Sequence, residues 1–200
     1  MSYAIIGFGA IGQALAQSFA RSGIEVAVAS TRPPEAIAAT AQAIGPTIVA
    51  KSLEEAIMAD IILLAVPFSA HRDIAKAAAD WQGKIIIDVT NAYGVPLADL
   101  DNLPSSAFVA KAFPGANLVK GFNHLGARVL AQDPATPAGH RVIFLAGDDE
   151  ASVATVATLG RQLGFAPINL GRLAEGGLLV QGREKSWAPL IFQDLFKKAA

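Results

Sequence analysis

Apolar runs of strand length alternate along the chain with longer, alanine-rich stretches that have the character of helices. One of the runs, DIILLAV, is continuously apolar rather than alternating, the pattern of a strand that is covered on both faces of a sheet. The eight runs predicted as strands are YAII (3–6), EVAVAS (25–30), PTIVA (46–50), DIILLAV (60–66), KIIIDVT (84–90), ANLVKGFN (116–123), RVIFLAG (141–147) and APINLG (166–171).

Helices are predicted between these strands. Pro33 and Pro34 open one of them, because proline is tolerated in a first helical turn. Ser52 is followed three residues later by Glu55, the spacing of a capping box. The segment DPATPAG (133–139) is predicted to be a loop. The predicted helices cover 11–22, 33–44, the region from Ser52, 69–79, the second part of 97–112, 125–131, 149–163 and 186–198.

This alternation predicts an α/β fold with a doubly wound, mainly parallel sheet and a short C-terminal extension. The chain has no internal repeat and no low-complexity linker. We therefore expect residues 1–200 to form a single unit. Within it, residues 1–123 form the core, and residues 124–200 form an extension that ends in an amphipathic helix.

Composition narrows the classes of function. The net charge of −1 over 200 residues leaves no basic excess for nucleic acid as the main partner. The absence of cysteine excludes disulfides, iron–sulfur ligation and thiol chemistry, and three scattered histidines predict no metal site. The run Ile61–Phe68 is too short to cross a bilayer, and no secretion signal is evident, so we expect a cytoplasmic protein without membrane insertion.

A glycine motif, G-x-G-x-x-G, directly follows the first strand and opens the next helix. In a dinucleotide-binding Rossmann fold, Gly7 permits the tight turn, Gly9 lets the backbone approach a pyrophosphate, and Gly12 lets helix and strand pack closely. The pyrophosphate then lies on free N–H groups of the helix. The alternative is a glycine turn that only connects strand and helix. The predicted pyrophosphate site consists of Gly7, Phe8, Gly9, Ala10, Ile11 and Gly12.

The second strand lacks the acidic residue that usually binds the ribose of NAD. Its one carboxylate, Glu25, lies about 16 Å from the far strand end, at roughly 3.3 Å per residue. That end has Ser30, Thr31 and Arg32 instead, and hydroxyls with a guanidinium match a 2′-phosphate. The sequence therefore predicts NADP(H) rather than NAD(H) as cofactor. The alternative is that Arg32 is an ordinary surface residue.

The ligand is expected to lie across the strand ends at the switch point between the first and fourth strands, with its nicotinamide end beyond the fourth strand. Val66, Pro67 and Phe68 then lie opposite the glycine turn, with Asn91 further along. Phe68 either packs on the cofactor or fills the rim of the core. His71, which begins the next helix, either reaches the cofactor or lies at the surface.

The sixth strand ends in the same cleft with Asn123 and His124, the candidate catalytic residues. The side chain of His124 titrates nearest neutrality and is the candidate acid or base. The alternative is a polar residue that is simply hydrogen-bonded at a strand end.

Together these residues resemble the family of coenzyme F-420-dependent NADP oxidoreductases, whose dinucleotide domain recurs in the cytosolic part of six-transmembrane ferric reductases. The resemblance implies hydride transfer between NADP(H) and a flavin-like carrier, F-420, FMN or FAD. It also implies that the segment Phe122–Leu125 floors the acceptor pocket. The segments that carry it are IIGFGAIGQALA, ASTR, DIILLAVPFSAH, IIIDVTN, PGANLVKGFNHLGARVL and VIFLAGDDEASVATVATLGRQLGFAPINLGRL.

Hydride transfer between two carriers needs little acid–base chemistry, because the protein has only to align the two rings and exclude water. One rival function is an NADP-dependent dehydrogenase or reductase of a small organic substrate, for which Lys111 and Lys120 are the nearby lysines. Another is a non-catalytic NADP(H)-binding redox sensor. The partners expected are a small-molecule hydride acceptor and, from the apolar residues of the amphipathic terminal helix, a second copy of the chain in a homodimer. Trp187 of that helix either anchors it by burial, covers the acceptor pocket or lies at the dimer contact.

Overall fold

A computed structural model describes residues 1–137 and 139–182 of the chain. The strands are β1 (Tyr3–Ile6), β2 (Val26–Ala29), β3 (Ile48–Ala50), β4 (Ile61–Leu64), β5 (Ile85–Asp88), β6 (Asn117–Gly121), β7 (Ala135–Thr136), β8 (Gly139–His140), β9 (Val142–Gly147) and β10 (Ala166–Asn169). The α-helices are α1 (Ala10–Arg21), α2 (Pro34–Ile44), α3 (Leu53–Ala56), α4 (His71–Ala75), α5 (Ser105–Ala110), α6 (Ala127–Leu130), α7 (Glu150–Gln162) and α8 (Gly176–Val180).

Eight of the strands form one sheet in the order β10-β9-β6-β5-β4-β1-β2-β3. All neighbours in it are parallel except β6 and β9, which are antiparallel. The order reverses direction between β1 and β4, and in such sheets ligands bind at this switch point. The predicted α/β fold with a doubly wound, mainly parallel sheet is confirmed.

Both faces of the sheet are covered, which explains the continuous apolar strands. One face packs against α1, α2, α6 and α7, with Leu15 and Phe19 of α1 fully buried there. The other face packs against α3, α4 and α5 and contains Trp81 and Phe113. Successive residues of β4 alternate between these two layers, so that this strand belongs to both cores.

Local sequence signals position several helices as predicted. Ser52 Oγ accepts from Glu55 N at 3.2 Å, and Glu55 Oε2 accepts from Ser52 N at 3.0 Å, which completes the capping box. Pro34 is the first residue of α2. Asp149 caps α7 by accepting from Ser152 N at 2.7 Å. These contacts satisfy N–H groups that a helix cannot satisfy itself.

Two predicted elements are wrong in detail. The helix expected over Ser69–Ala79 is a 3-10 turn (Phe68–Ala70) followed by α4, which ends at Ala75. It ends there because the buried indole of Trp81 donates from Nε1 to the carbonyl oxygen of Ala75 at 3.0 Å. The predicted loop at 133–139 contains β7, which pairs with β8 in a two-stranded ribbon. The ribbon is closed by Arg141 N, which donates to Pro134 O at 2.8 Å.

The predicted terminal helix over residues 186–198, with Trp187, lies outside the described residues. The homodimer and the division of the chain at residue 123 stay predictions. Within the part of the chain that the structure describes, no helix has the length and apolar character to span a membrane. The same residues contain no group of three or more acidic or histidine side chains arranged to hold a metal ion.

Candidate functional site

The glycine turn between β1 and α1 packs backbone against backbone. Gly7 has a φ of +102°, and a Cβ there would lie 2.3 Å from the carbonyl oxygen of Ala65 on the neighbouring strand connection. A Cβ on Gly12 would lie 1.8 Å from the carbonyl oxygen of Gly7. No side chain fits at either position, and the two glycines therefore hold the start of α1 directly against the sheet.

The N-terminus of α1 is open to a ligand. Gly9 is its N-cap with a φ of −81°, no side chain caps it, and the first turn contains no acidic residue. A Cβ on Gly9 would meet no atom within 4 Å, in contrast to Gly7 and Gly12. Gln13 N makes an intrahelical bond to Gly9 O at 2.9 Å, and the N–H groups before it are those that a helix leaves unsatisfied. This geometry suits the pyrophosphate of a dinucleotide.

Ser30, Thr31 and Arg32 follow the carboxyl end of β2. Ser30 Oγ accepts from the backbone N–H of Arg32 at 3.1 Å, which turns the chain directly after the strand. Thr31 and Arg32 are exposed, and no carboxylate among residues 1–137 and 139–182 forms an ion pair with Arg32. The guanidinium is therefore available for an anionic ligand such as a 2′-phosphate.

One cavity of about 310 Å³ joins the glycine turn to these residues. Its far wall is formed by the end of β4 and by the helices that follow β3 and β4. The lining residues are Ile6, Gly7, Phe8, Gly9, Ser30, Thr31, Arg32, Leu53, Ala65, Val66, Pro67, Ala70 and Ile74. Eight of them were predicted from sequence as cofactor contacts: Gly7, Phe8, Gly9, Ser30, Thr31, Arg32, Val66 and Pro67.

A second cavity, of about 430 Å³, lies on the other side of the α1 N-terminus, at the carboxyl ends of β5 and β6. It contains the predicted residues Ile11, Asn91, Asn123 and His124. The remaining lining residues are Val89, Tyr93, Phe122, Leu125, Gly126 and Val129. A dinucleotide that lies across the strand ends, with its pyrophosphate on α1, extends from the first cavity into the second.

The floor of the second cavity is a network of amides. Asn91 Nδ2 donates to the carbonyl oxygen of Asn123 at 2.8 Å, and Asn123 Nδ2 donates back to Asn91 Oδ1 at 2.9 Å. Asn123 Nδ2 also donates to Val180 O at 2.6 Å, and Gly182 N donates to Asn91 Oδ1 at 2.8 Å. The network therefore ties the ends of β5 and β6 to the C-terminal end of α8.

Phe122 turns the chain from β6 into this floor. Its φ is +60°, a left-handed conformation that is uncommon for a bulky residue, and its ring is fully buried against Phe165 at 5.7 Å between ring centroids. Strained backbone of this kind persists only where its surroundings hold it, and it is concentrated at functional sites. Here it directs Asn123 and His124 to the cavity.

His124 is neutral at physiological pH. Burial lowers the pKa of its imidazole to about 4, and a contact with the carbonyl oxygen of Val142, 3.3 Å from Nε2, only partly opposes this. The ring also packs against Phe144, with 5.1 Å between centroids. Because a carbonyl oxygen only accepts, Nε2 carries the proton. His124 is thus a neutral hydrogen-bonding residue at the strand end and not a ready acid.

A buried ion pair lies beside the network. Lys120 Nζ donates to Asp88 Oδ2 at 3.1 Å, and both side chains are fully buried. Asp88 also accepts from Thr90 N, Thr90 Oγ1 and Ser106 Oγ, at 2.9, 2.7 and 2.8 Å. Burial opposes ionisation of Asp88, but Lys120 and these donors outweigh it and lower the pKa of the carboxyl. Lys120 also donates to Thr90 O, which fixes the chain next to Asn91.

Comparison with known proteins identifies the relationship. Residues 2–92 match the family described as NADP oxidoreductase, coenzyme F420-dependent. A hypothetical protein from Sinorhizobium meliloti, known from its crystal structure, is 39% identical and superposes with a TM-score of 0.90 over 97% of this chain and 96% of that chain. The chain belongs to the coenzyme F420-dependent NADP oxidoreductase family.

Two further relatives of this oxidoreductase have more specific names. A protein from Arthrobacter sp. FB24, provisionally named an F420-dependent NADP reductase, is 26% identical, with a TM-score of 0.69 over 86% of both chains. The metalloreductase STEAP3 of Rattus norvegicus is 30% identical over 172 residues, which is 85% of this chain and 34% of that protein. The chain spans about a third of the length of the curated relatives it matches. The family resemblance predicted from sequence is confirmed.

Four residues predicted as cofactor contacts of this NADP oxidoreductase lie outside both cavity linings: Ala10, Gly12, Phe68 and His71. Gly12 acts behind the turn, by its close packing on Gly7. Phe68 and His71 pack on each other, with 4.9 Å between ring centroids, and His71 is buried with Nδ1 against Phe68 O. In the structure, His71 contributes to the packing of the turn rather than to the cavity wall.

Several residues of the site were not predicted from the sequence. Tyr93 lines the second cavity, and Gly182 and Val180 anchor its amide floor. The position of Tyr93, two residues after Asn91 at a strand end, is a signal that could have identified it. The contacts of Val180 and Gly182 join residues 57 and 91 positions apart in the chain, and no local pattern indicates them.

Proposed function

We propose that this member of the NADP oxidoreductase family binds NADPH and transfers hydride between it and a flavin-like carrier such as F-420, FMN or FAD. The observation that carries the cofactor assignment is the single cavity in which Ser30, Thr31 and Arg32 face the glycine turn. Hydroxyls and a guanidinium that has no ion-pair partner among the described residues suit a 2′-phosphate at this position, which offers no carboxylate to a 2′-hydroxyl.

In this proposal, different residues of the chain bind different parts of the cofactor. The backbone around Gly9 and the N-terminus of α1 hold the pyrophosphate, and Arg32 with Thr31 holds the 2′-phosphate. Val66 and Pro67 direct the dinucleotide past α1, and Asn91 lies where the nicotinamide enters the second cavity. When bound, NADPH supplies the hydride. The chain orients the two rings and excludes water.

The polar groups near the second cavity favour transfer between two carriers. Reduction of a small carbonyl or imine substrate calls for a proton donor, yet His124 has a pKa of about 4 and is neutral at pH 7. Lys120 is committed to Asp88 in the interior and does not line either cavity. Transfer to a flavin-like ring depends instead on close approach of the rings within an apolar lining that includes Ile11, Val89 and Leu125.

The test is anaerobic oxidation of NADPH, followed by absorbance, with F-420, FMN, FAD and a ferric chelate offered separately and with NADH as the control. We expect rapid oxidation of NADPH with a flavin-like acceptor, at a rate well above the rate of NADH oxidation. Tight NADPH binding without turnover on any of them would contradict the proposal and favour a redox sensor. Turnover only with small ketones or imines would favour a dehydrogenase.

The assignment of Arg32 has its own test. Arg32→Ala removes one charge-assisted contact, so we expect the KM for NADPH to rise by about ten- to a hundredfold while the KM for NADH is unchanged. Arg161→Ala, which removes an exposed arginine of α7, is the matched control and leaves both values unchanged. Equal effects of Arg32→Ala on NADPH and NADH would contradict the assignment.

A further inference from the structure

The side chain of Tyr93 is unusually exposed for an aromatic residue beside a cavity. It is 70% exposed, yet it lines the second cavity together with Asn91 and His124. Its neighbour Ala92 is buried. The ring therefore stands at the mouth of the cavity and contributes little to the core.

The backbone that carries Tyr93 is fixed by a tight turn. Val95 N donates to Ala92 O at 3.3 Å, which closes the turn around Tyr93 and Gly94. Gly94 has a φ of +70°, the conformation that the third residue of a type II turn requires. The tight turn therefore fixes the position of the Tyr93 backbone, although the side chain is exposed.

The ring is also supported from behind. A Cβ on Gly182 would lie 2.6 Å from Cε1 and Cζ of Tyr93, so that the phenol rests directly on the Gly182 backbone. Gly182 N is held by Asn91 Oδ1 at 2.8 Å, and Asn91 is paired with Asn123 on the cavity floor. Tyr93 and the floor are therefore parts of one connected arrangement.

We propose that Tyr93 is the platform on which the planar ring of the hydride acceptor stacks, and this inference rests on the proposed function. An aromatic ring supported from behind and open to the cavity offers its free face to another flat π-system, which such rings bind in offset-stacked geometry. Stacking on one aromatic side chain is worth about tenfold in affinity for a heterocyclic base. Tyr93 thus selects for flat, conjugated acceptors over small aliphatic ones.

The experiment measures binding and turnover separately. Riboflavin is titrated into the protein saturated with NADP⁺, and binding is followed by quenching of riboflavin fluorescence, which requires no catalysis. Tyr93→Ala raises the Kd for riboflavin about tenfold and leaves the Kd for NADPH unchanged. Tyr93→Phe, which keeps the ring, retains the wild-type Kd. Because the side chain is exposed, neither change affects the core, and thermal unfolding verifies this.

Gly182→Ala provides a second variant that leaves Tyr93 in the sequence. The added methyl displaces the phenol, which is the free end of a side chain, and the Kd for riboflavin rises as it does in Tyr93→Ala. Equal Kd values in the wild type, Tyr93→Ala and Gly182→Ala would overturn the inference, as would no riboflavin binding by the wild type. If riboflavin binding depends on Tyr93 but none of the acceptors offered supports oxidation of NADPH, the inference is supported and the proposed function is contradicted.

Discussion

The buried pair of Lys120 and Asp88 gives a quantitative test of what stabilises the site. Lys120→Met replaces the ammonium with an apolar group of similar length and leaves Asp88 charged in the interior. Removal of one partner from a buried pair costs about 3–5 kcal/mol, because the remaining charge is uncompensated. Since a domain of this kind has roughly 5–15 kcal/mol of stability in total, the variant loses a large part of it.

Asp88→Asn is the second single variant, and with Lys120→Met and the double variant it forms a double-mutant cycle. In Asp88→Asn the amide oxygen can still accept from Thr90 N and Thr90 Oγ1. The oxygen that accepts from Ser106 and Lys120 is replaced by an NH2 group, and Lys120 is left without its counter-charge. In the double variant neither charge remains. We expect the double variant to be more stable than the sum of the two single losses predicts, with a coupling of about 2–3 kcal/mol, near the upper end for residues in contact.

The assay is urea unfolding at pH 7, followed by circular dichroism, for the wild type, both single variants and the double variant. Strictly additive losses, or single losses below about 1 kcal/mol, would refute the reasoning from an uncompensated buried charge. The pH dependence is an internal check. The lowered pKa of Asp88 stabilises the wild type above about pH 4, and this stability is lost as the pH falls through the folded-state pKa. In Lys120→Met, protonation of Asp88 removes the uncompensated buried charge. The free energy of unfolding of the variant therefore approaches that of the wild type as the pH falls.

Three further predictions concern His124 and the glycine turn. Burial lowers the pKa of His124 to about 4, below the unfolded value of about 6.5, so stability falls by up to about 3 kcal/mol as the pH falls through this window. In His124→Gln, the free energy of unfolding by urea depends less on pH across pH 7, 5 and 4. The variant lowers the rate of hydride transfer only modestly. Loss of all hydride transfer with intact NADPH binding would instead make His124 catalytic. Gly12→Ala lowers the thermal midpoint sharply, because its Cβ would lie 1.8 Å from Gly7 O. Gly9→Ala keeps the wild-type thermal midpoint but weakens NADPH binding, measured by fluorescence titration. If this variant binds NADPH with the wild-type Kd, close approach of the pyrophosphate at Gly9 is excluded.

The parts of the structure that were predictable from sequence depend on local chemistry and on strand order. The apolar runs, the glycine turn and the capping box at Ser52 each act within a few residues. In a parallel sheet the carboxyl ends of strands meet at one edge, and this is why Ser30, Val66 and Asn91 were predicted at a common cleft.

The remaining features depend on contacts between distant segments. Asp88 and Lys120 are charged residues near strand ends, which normally lie at the surface, and their burial follows from the parallel pairing of β5 with β6 and the cover of α5. The antiparallel direction of β9 depends on its pairing with β6 after the β7–β8 ribbon, and its apolar pattern is the same in either direction. Helix α4 ends early because of an indole six residues further along the chain.

The position of Ser30, Thr31 and Arg32 has a consequence for how such proteins diverge. Ala29 is the last residue of β2 paired with β1, and the three residues beyond it contribute nothing to the core. If these residues hold the 2′-phosphate as proposed, substitutions there change the preferred dinucleotide with little cost to the fold, whereas Gly7 and Gly12 tolerate no side chain. On the proposed assignment, a lineage built on this scaffold is free to exchange one dinucleotide for the other by a few surface changes.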